Sequence, residues 1–205
     1  VVTISTPLAQ TQTKQSSLSF PKTIATFSTA IAIGLGLRFL FTILPQILTN
    51  YWGKDLVSQG MFIFTFLLAL MALPSGKLAS KLGSIQTMMT ALIVTGMGLV
   101  LLVQSVSLPT IITILLILSF SFITVLNTMI PFVLTIMPSD RSGFAIGIYF
   151  AGFAGALNFF EIFVDTTIDL SILSIQAMIC FLIASLIVYF STLSGNQKTR
   201  SPLSS

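Results

Sequence analysis

The chain has 205 residues, of which 55% are hydrophobic and 7% are charged, and its net charge is +4. A soluble domain carries roughly a quarter charged residues, so this chain has too little polar surface to remain folded in water. The composition therefore excludes an ordinary soluble domain and predicts an all-α membrane protein with several spans. Runs of about 20 mostly apolar residues mark such spans. Six are predicted, at 24–49, 56–73, 85–103, 110–136, 144–163 and 172–192.

Several kinds of chemistry are excluded by the residues that the chain lacks. It has no histidine and a single cysteine, Cys180. A disulfide within the chain, a thiolate metal site and a histidine-based catalytic site are therefore ruled out. We expect no enzymatic activity, no metal site and no cofactor. The basic residues do not cluster on one amphipathic segment, so we expect no nucleic-acid partner.

The polar ends of the chain predict its domain organisation. Residues 1–23 are rich in Ser, Thr and Gln and lack a basic start followed by an apolar core, which argues against a cleavable signal peptide. We predict a polar cytoplasmic tail or linker over 1–23, a transmembrane domain over 24–192 and a cytoplasmic tail over 193–205.

The basic residues also predict the orientation in the membrane. With six spans, seven of the nine fall on one side, and the opposite side carries Lys54 with Asp55, Asp165 and Asp169. Cytoplasmic loops carry an excess of Lys and Arg, so both termini are expected in the cytoplasm of a multi-pass protein of the plasma or inner membrane. The residues of the basic side are Lys14, Lys22, Lys77, Lys81, Arg141, Lys198 and Arg200.

A short internal repeat links the first and fourth spans. Thr42-Ile-Leu-Pro45 in the first span matches Thr128-Met-Ile-Pro131 in the fourth. Many transporters are built from inverted three-helix units, and both prolines fall in the first helix of such a unit. Pro131 is also expected to bend or tilt the long fourth helix.

The segment Gly76-Lys-Leu-Ala-Ser-Lys-Leu-Gly83 is predicted as a tight loop between spans 2 and 3. It resembles the Gly-x-Leu-Ala-Asp-Arg-x-Gly-Arg-Lys loop of a major facilitator superfamily half. Gly76, Leu78 and Gly83 match that pattern, and Lys81 keeps the charge of the family arginine, so the resemblance implies a gating loop. Ser80 replaces the family acid, and the basic pair that ends the pattern is also missing, which implies a weakened gate. The other reading is a generic positively charged loop.

A second resemblance lies between spans 4 and 5. Residues 137–147 contain a proline, a basic residue and glycines at the entry to a glycine-rich helix, similar to the connection of helices 10 and 11 in that superfamily. Since a full transporter of this type has twelve helices, the chain resembles one half. The polar lead-in, the eroded loop and the basic tail favour the C-terminal half.

Arg38 is the sharpest single candidate residue. It lies about 21 Å along a helix from Ile24, which places it near the middle of a bilayer. An arginine there costs roughly 2.5–3.5 kcal/mol, and such residues usually face a cavity or a partner. Arg38 could bind an anionic substrate group or couple to a carboxylate. The alternatives are a structural pair or a snorkelling side chain. Gly34 and Gly36 are expected to leave room beside it.

Three further polar residues are candidates for substrate binding or coupling. Glu161 is either a protonatable residue facing the cavity or a solvated charge at the level of the headgroups. Asn127 faces either the cavity or a neighbouring helix, because a buried amide in lipid needs a partner. Gln46 could line the outer part of the same cavity. The small residues Gly143, Gly147, Ala151 and Gly155 are expected to let a neighbouring helix pack closely.

Two functions of different classes are expected from these features. The first is a secondary active transporter of the major facilitator type, which moves a small solute by alternating access. Because six helices do not enclose that cavity, it needs a second six-helix half, covalent or as a dimer, besides the lipid bilayer and the substrate. The alternative is a non-transporting scaffold or assembly protein that retains the half-transporter fold.

Overall fold

A computed structural model describes residues 20–137, 139–163 and 168–196, and within these ranges the chain is helical and contains no strand. Six helices are long and apolar enough to cross a membrane, as expected of an integral multi-pass protein. The helices are α1 (Phe20–Trp52), α2 (Val57–Leu82), α3 (Ser84–Gln104), α4 (Leu108–Ile136), α5 (Ser142–Phe163) and α6 (Leu170–Asn196). Short 3-10 turns, Lys54–Leu56 and Ser139–Arg141, precede α2 and α5.

The predicted spans are confirmed in number, but several ends differ. Helix α1 begins before residue 24 and α6 continues past residue 192, so both helices extend beyond the predicted spans. The largest difference is α2, which continues through Pro74 to Leu82. The segment from Gly76 is therefore not a loop. Proline is tolerated inside membrane helices. The predicted tails over 1–19 and 197–205 lie outside the described residues.

The turn between α2 and α3 consists of Gly83 alone. Its φ is +88°, a conformation that glycine adopts without the steric cost of a side chain. The Gly83 amide donates to the carbonyl of Ala79 at 3.0 Å, and its own carbonyl accepts from the Thr87 hydroxyl at 2.7 Å. The positive φ expected of the glycines in this segment is thus confined to Gly83.

The helices repeat with a constant spacing. Pro45 and Pro131 lie 86 positions apart (from 45 to 131), and the same shift carries the first residue of α3, Ser84, onto the first residue of α6, Leu170. Both prolines lie inside continuous helices. In each case a threonine one turn later, Thr49 or Thr135, donates to the proline carbonyl, at 2.8 and 2.7 Å.

Helix packing follows the same repeat. Helix α1 packs against α5 and α6, α4 packs against α2 and α3, and α3 packs against α6. Exchanging α1 with α4, α2 with α5 and α3 with α6 reproduces this set of pairs. Each unit holds an odd number of membrane-crossing helices, so the two units run in opposite directions. The bundle is therefore an inverted repeat of two three-helix units, with α2 and α5 at its two edges and least buried.

Candidate functional site

An ion pair joins α1 to α5. Arg38 Nη2 donates to Glu161 Oε1, and the guanidinium carbon lies 5.8 Å from the centre of the Phe160 ring. The two residues are 123 positions apart in sequence. This ion pair is compatible with two of the alternatives for Arg38, coupling to a carboxylate and a structural pair. Glu161 has the arginine as its direct partner, and its side chain remains largely exposed.

Small residues bring α1 and α5 close enough for this pair to form. A Cβ added at Gly34 would lie 2.9 Å from the carbonyl oxygen of Phe153 and 2.9 Å from the Cβ of Ala156. One added at Gly152 would lie 2.9 Å from the carbonyl oxygen of Phe27. Gly34 was expected to leave an open space beside Arg38, but that space is filled by α5. Gly34 lets the backbone of α5 approach, and Arg38 follows one turn later.

The pair lies within apolar helices and is only partly covered. The side chain of Arg38 is 39% exposed and that of Glu161 is 69% exposed. A charged side chain in a membrane helix is costly unless it has a partner, and each of these two supplies the other's counter-charge. Arg38 Nε is buried and has no hydrogen-bond partner among the described residues. The guanidinium thus retains a donor that the ion pair does not use.

Two polar side chains continue the Arg38 face of α1. The Thr42 hydroxyl donates to the carbonyl of Arg38 at 2.9 Å, and Gln46 Nε2 donates to the carbonyl of Thr42 at 3.2 Å. Successive steps of four residues place all three side chains on one helix face. Gln46 therefore lies on the same face of α1 as Arg38, two turns beyond it, and it is half-buried.

Asn127 belongs to a different contact, between α4 and α2. Its Nδ2 donates to the carbonyl of Ala72 at 2.9 Å and to the Ser75 hydroxyl at 2.6 Å. Of the two alternatives for Asn127, the structure shows the neighbouring helix. These bonds lie on either side of Pro74 and tie α2 to α4 where α2 passes through the proline.

The two polar bridges join equivalent pairs of helices in the repeat. The 86-residue shift carries Ser75 onto Glu161, and it carries α1 onto α4, where the position equivalent to Arg38 is Thr124, one turn before Asn127. Ser75 was not singled out from the sequence. The spacing of 86 positions between Pro45 and Pro131 could have identified it, because the same spacing, counted back from Glu161, gives Ser75.

We expect Asn127→Leu to lower the free energy of unfolding by about 1 kcal/mol, because interhelical hydrogen bonds in membranes average about 0.6 kcal/mol and reach about 1.7. Unfolding of the full chain by sodium dodecyl sulfate in mixed micelles measures the change. Asn158→Leu is the matched control, since Asn158 is exposed and donates only to Ala154 of its own helix. Equal losses in both variants would contradict a bridging role for Asn127.

The residues of the predicted gating loop lie on the last two turns of α2 and on the turn after it. Gly76 is helical, with open space where a Cβ would project, and Leu78 is half-buried against α3 and α4 in a small cleft of about 120 Å³. Lys81 is exposed. The Ser80 hydroxyl donates to the carbonyl of Lys77 in the same helix at 2.9 Å.

No protein-family model, curated protein or solved structure matches this chain. The assignment to a class of membrane protein therefore depends on the helices themselves, on their repeat and on the polar contacts between them.

Proposed function

We propose that this chain is one six-helix half of a secondary active transporter of the major facilitator type, most similar to a C-terminal half. The observation that carries the proposal is the inverted repeat. Two three-helix units, related by an 86-residue shift, make equivalent helix contacts. Inverted three-helix repeats nested within each six-helix half are a property of this class of transporter. The resemblance of residues 76–83 to the loop of that superfamily supports the same assignment.

A second six-helix unit would cover the two edge helices. Helices α2 and α5 are the least buried of the six. On α5, Gly143 and Gly147 face open space, since nothing in the described part of the chain lies within 4 Å of a Cβ built on them. Among the described residues these two glycines therefore lack the close packing that was expected of them, and Gly152 packs closely against α1 instead. A face of small residues lets another helix approach closely, which supports a partner in the membrane.

The site for a small solute would lie on the Arg38 face of α1. The partly exposed guanidinium of Arg38, the Thr42 hydroxyl and the half-buried Gln46 lie on this face. A partly satisfied arginine and neutral polar groups suit an anionic or a neutral amphipathic solute. Binding energy would then compete with the ion pair between Arg38 and Glu161. In this proposal the pair is the contact that changes during alternating access.

The proposed orientation places both termini in the cytoplasm. Lys77 and Lys81, at the end of α2, and the turn at Gly83 then lie on the cytoplasmic side. The gate would be weak, because Ser80 has no negative charge and its hydroxyl bonds its own helix.

The weak gate is also the observation that favours a second candidate, a scaffold or assembly protein without transport. Such a protein would keep the inverted repeat and both polar bridges, since these hold the bundle together. It would purify with a larger membrane complex at a fixed stoichiometry, and it would move no solute.

The test is uptake by reconstituted vesicles. The full chain is reconstituted alone and together with a second six-helix half, and radiolabelled organic anions and neutral amphiphiles are offered. If the transporter proposal is correct, uptake will occur only where two halves are associated, either as a dimer of this chain or as this chain with a different six-helix half. A monomeric chain that shows no uptake with either partner would overturn the transporter proposal.

Gly147→Trp is expected to weaken association with the second half by about tenfold or more, since overpacking an interface costs roughly 1–3 kcal/mol. Folding of the separate chain should be unchanged, because Gly147 faces open space. Sedimentation in detergent measures both association and folding. Phe190→Trp is the control, as Phe190 is 63% exposed on α6, away from the edge helices. An equal effect of both substitutions would remove α5 from the interface.

A further inference from the structure

A cleft separates α5 from α6 on the surface of α1. Both helices pack against α1 but make little contact with each other in the described part of the chain. The space between them has a volume of about 650 Å³, within the range of small-molecule sites. Along α1 it extends from Phe27 to Phe39, which corresponds to about 18 Å of helix. Phe159 on α5 and Ile179 on α6 are exposed at its rim, 57% and 47% respectively.

The lining of the cleft is apolar with one unsatisfied polar atom. Phenylalanine and aliphatic side chains from the three helices form most of the wall, and Gly155 leaves open space where a side chain would fill it. Gln176 of α6 also lines the cleft, and its Oε1 is buried without a hydrogen-bond partner among the described residues. A buried carbonyl oxygen left unpaired costs roughly 1–3 kcal/mol. A ligand that brings a donor to this oxygen would remove that cost.

The position of Gln176 defines which end of the ligand is polar. Gln176 lies near the start of α6, close in sequence to the connection with α5, and Phe27 lies near the start of α1. Helices α5 and α1 run in the same direction, because Gly152 contacts Phe27 while Arg38 pairs with Glu161. The donor-bearing end of a ligand would therefore lie towards the α5–α6 connection. Its apolar chain would extend along α1 towards Phe27.

We propose that this cleft binds an amphiphile of the bilayer that has one long apolar chain and a hydroxyl donor at its end, such as a long-chain alcohol. The length of the cleft suits an extended chain, its wall suits hydrocarbon, and Gln176 Oε1 accepts the hydroxyl proton. The cleft opens between two membrane-spanning helices, so such a molecule reaches it directly from the hydrocarbon of the membrane. This site is separate from the Arg38 face and does not depend on transport.

Cys180 allows the proposal to be tested on the natural chain. It is the single cysteine, it is half-buried, and it lines the cleft one turn from Gln176. The full chain in phosphatidylcholine nanodiscs is labelled with N-ethylmaleimide while dodecanol is titrated. At tenfold its dissociation constant, dodecanol should slow labelling about tenfold. Dodecyl methyl ether, which has the oxygen but no donor, should bind about fivefold more weakly.

Four variants separate occupancy of the cleft from general effects of the probe on the bilayer. Gly155→Leu should abolish protection by filling the cleft, whereas Gly147→Leu, on the same helix but outside the cleft, should leave it intact. Gln176→Leu should make the alcohol and the ether equivalent. Ile183→Cys in a Cys180→Ala background places the thiol at an exposed position, where it should not be protected at all.

Each of the other outcomes overturns the proposal. Absence of protection at Cys180 would mean that the cleft does not bind the amphiphile. Equal protection by alcohol and ether in the natural chain would mean that Gln176 does not select a donor. If position 183 were protected as strongly as position 180, the slower labelling would result from partitioning of the probe into the bilayer and not from binding in the cleft. The comparison of the two probes needs no variant, so it stands even if a substitution impairs folding.

Discussion

Arg38→Glu is expected to lower the free energy of unfolding of the full chain by about 3 kcal/mol. The substitution places two carboxylates opposite each other within apolar helices, and an unpaired charge in a membrane helix costs roughly 2.5–3.5 kcal/mol. Each carboxylate loses its counter-charge, although the side chains of Arg38 and Glu161 are 39% and 69% exposed in the natural chain. Glu161→Arg should cost a similar amount, since it opposes two cations. Unfolding by sodium dodecyl sulfate in mixed micelles measures both losses.

The exchanged pair, Arg38→Glu with Glu161→Arg, should recover most of the lost stability. Residues in direct contact show coupling energies of roughly 0.5–3 kcal/mol, whereas independent sites simply add. Lys54→Glu is the control for reversing a charge, because Lys54 is exposed in the connection before α2. If the double variant shows the sum of the two single losses, the contact between Arg38 and Glu161 does not stabilise the bundle.

The same variants separate a structural arginine from a functional one. Arg38→Ala should abolish transport by the assembled two-half protein while leaving expression and membrane insertion intact. In the exchanged pair the ion pair is restored, but the arginine stands on α5. Transport that returns with the exchange would make the pair structural, whereas transport that stays absent would mean that a guanidinium is needed on α1. Activity equal to that of the natural protein in Arg38→Ala would remove Arg38 from the site.

Gly34→Leu is expected to produce the second large effect, a loss of roughly 3 kcal/mol or failure to fold. Even a Cβ at this position lies 2.9 Å from a backbone oxygen of α5, and backbone cannot move aside as a flexible side chain does. Overpacking of this kind costs roughly 1–3 kcal/mol. The separation of α1 from α5 would also break the ion pair one turn away. The free energy of unfolding and the apparent melting temperature both report the loss.

Gly147→Leu provides the matched control on α5. Gly147 is also a helical glycine, but open space surrounds its Cβ position. Replacing glycine in a helix removes a conformational cost of roughly 0.5–1 kcal/mol, so this variant should be as stable as the natural chain or slightly more stable. The two substitutions are therefore expected to have opposite signs. Similar losses at both positions would contradict the close packing of α1 on α5.

The sequence by itself determined the class of protein and the number of spans. An apolar run of sufficient length is a local property, and the six runs became six helices. The repeat was also visible in the sequence, because Pro45 and Pro131 are separated by its 86-residue spacing. Gly83 was recognisable as a turn residue, since only glycine adopts its φ without strain.

The tertiary structure alone decided where the helices end and which polar groups meet. Pro74 and Gly76 predict a break locally, yet α2 continues to Leu82, and Asn127 of α4 bonds to Ala72 and Ser75 on either side of the proline. The bond between Arg38 and Glu161 joins positions 123 residues apart, and it forms only because Gly34 and Gly152 let two helices approach. A single sequence specifies which helix faces are small or polar. Which of those faces touch depends on how all six helices pack together.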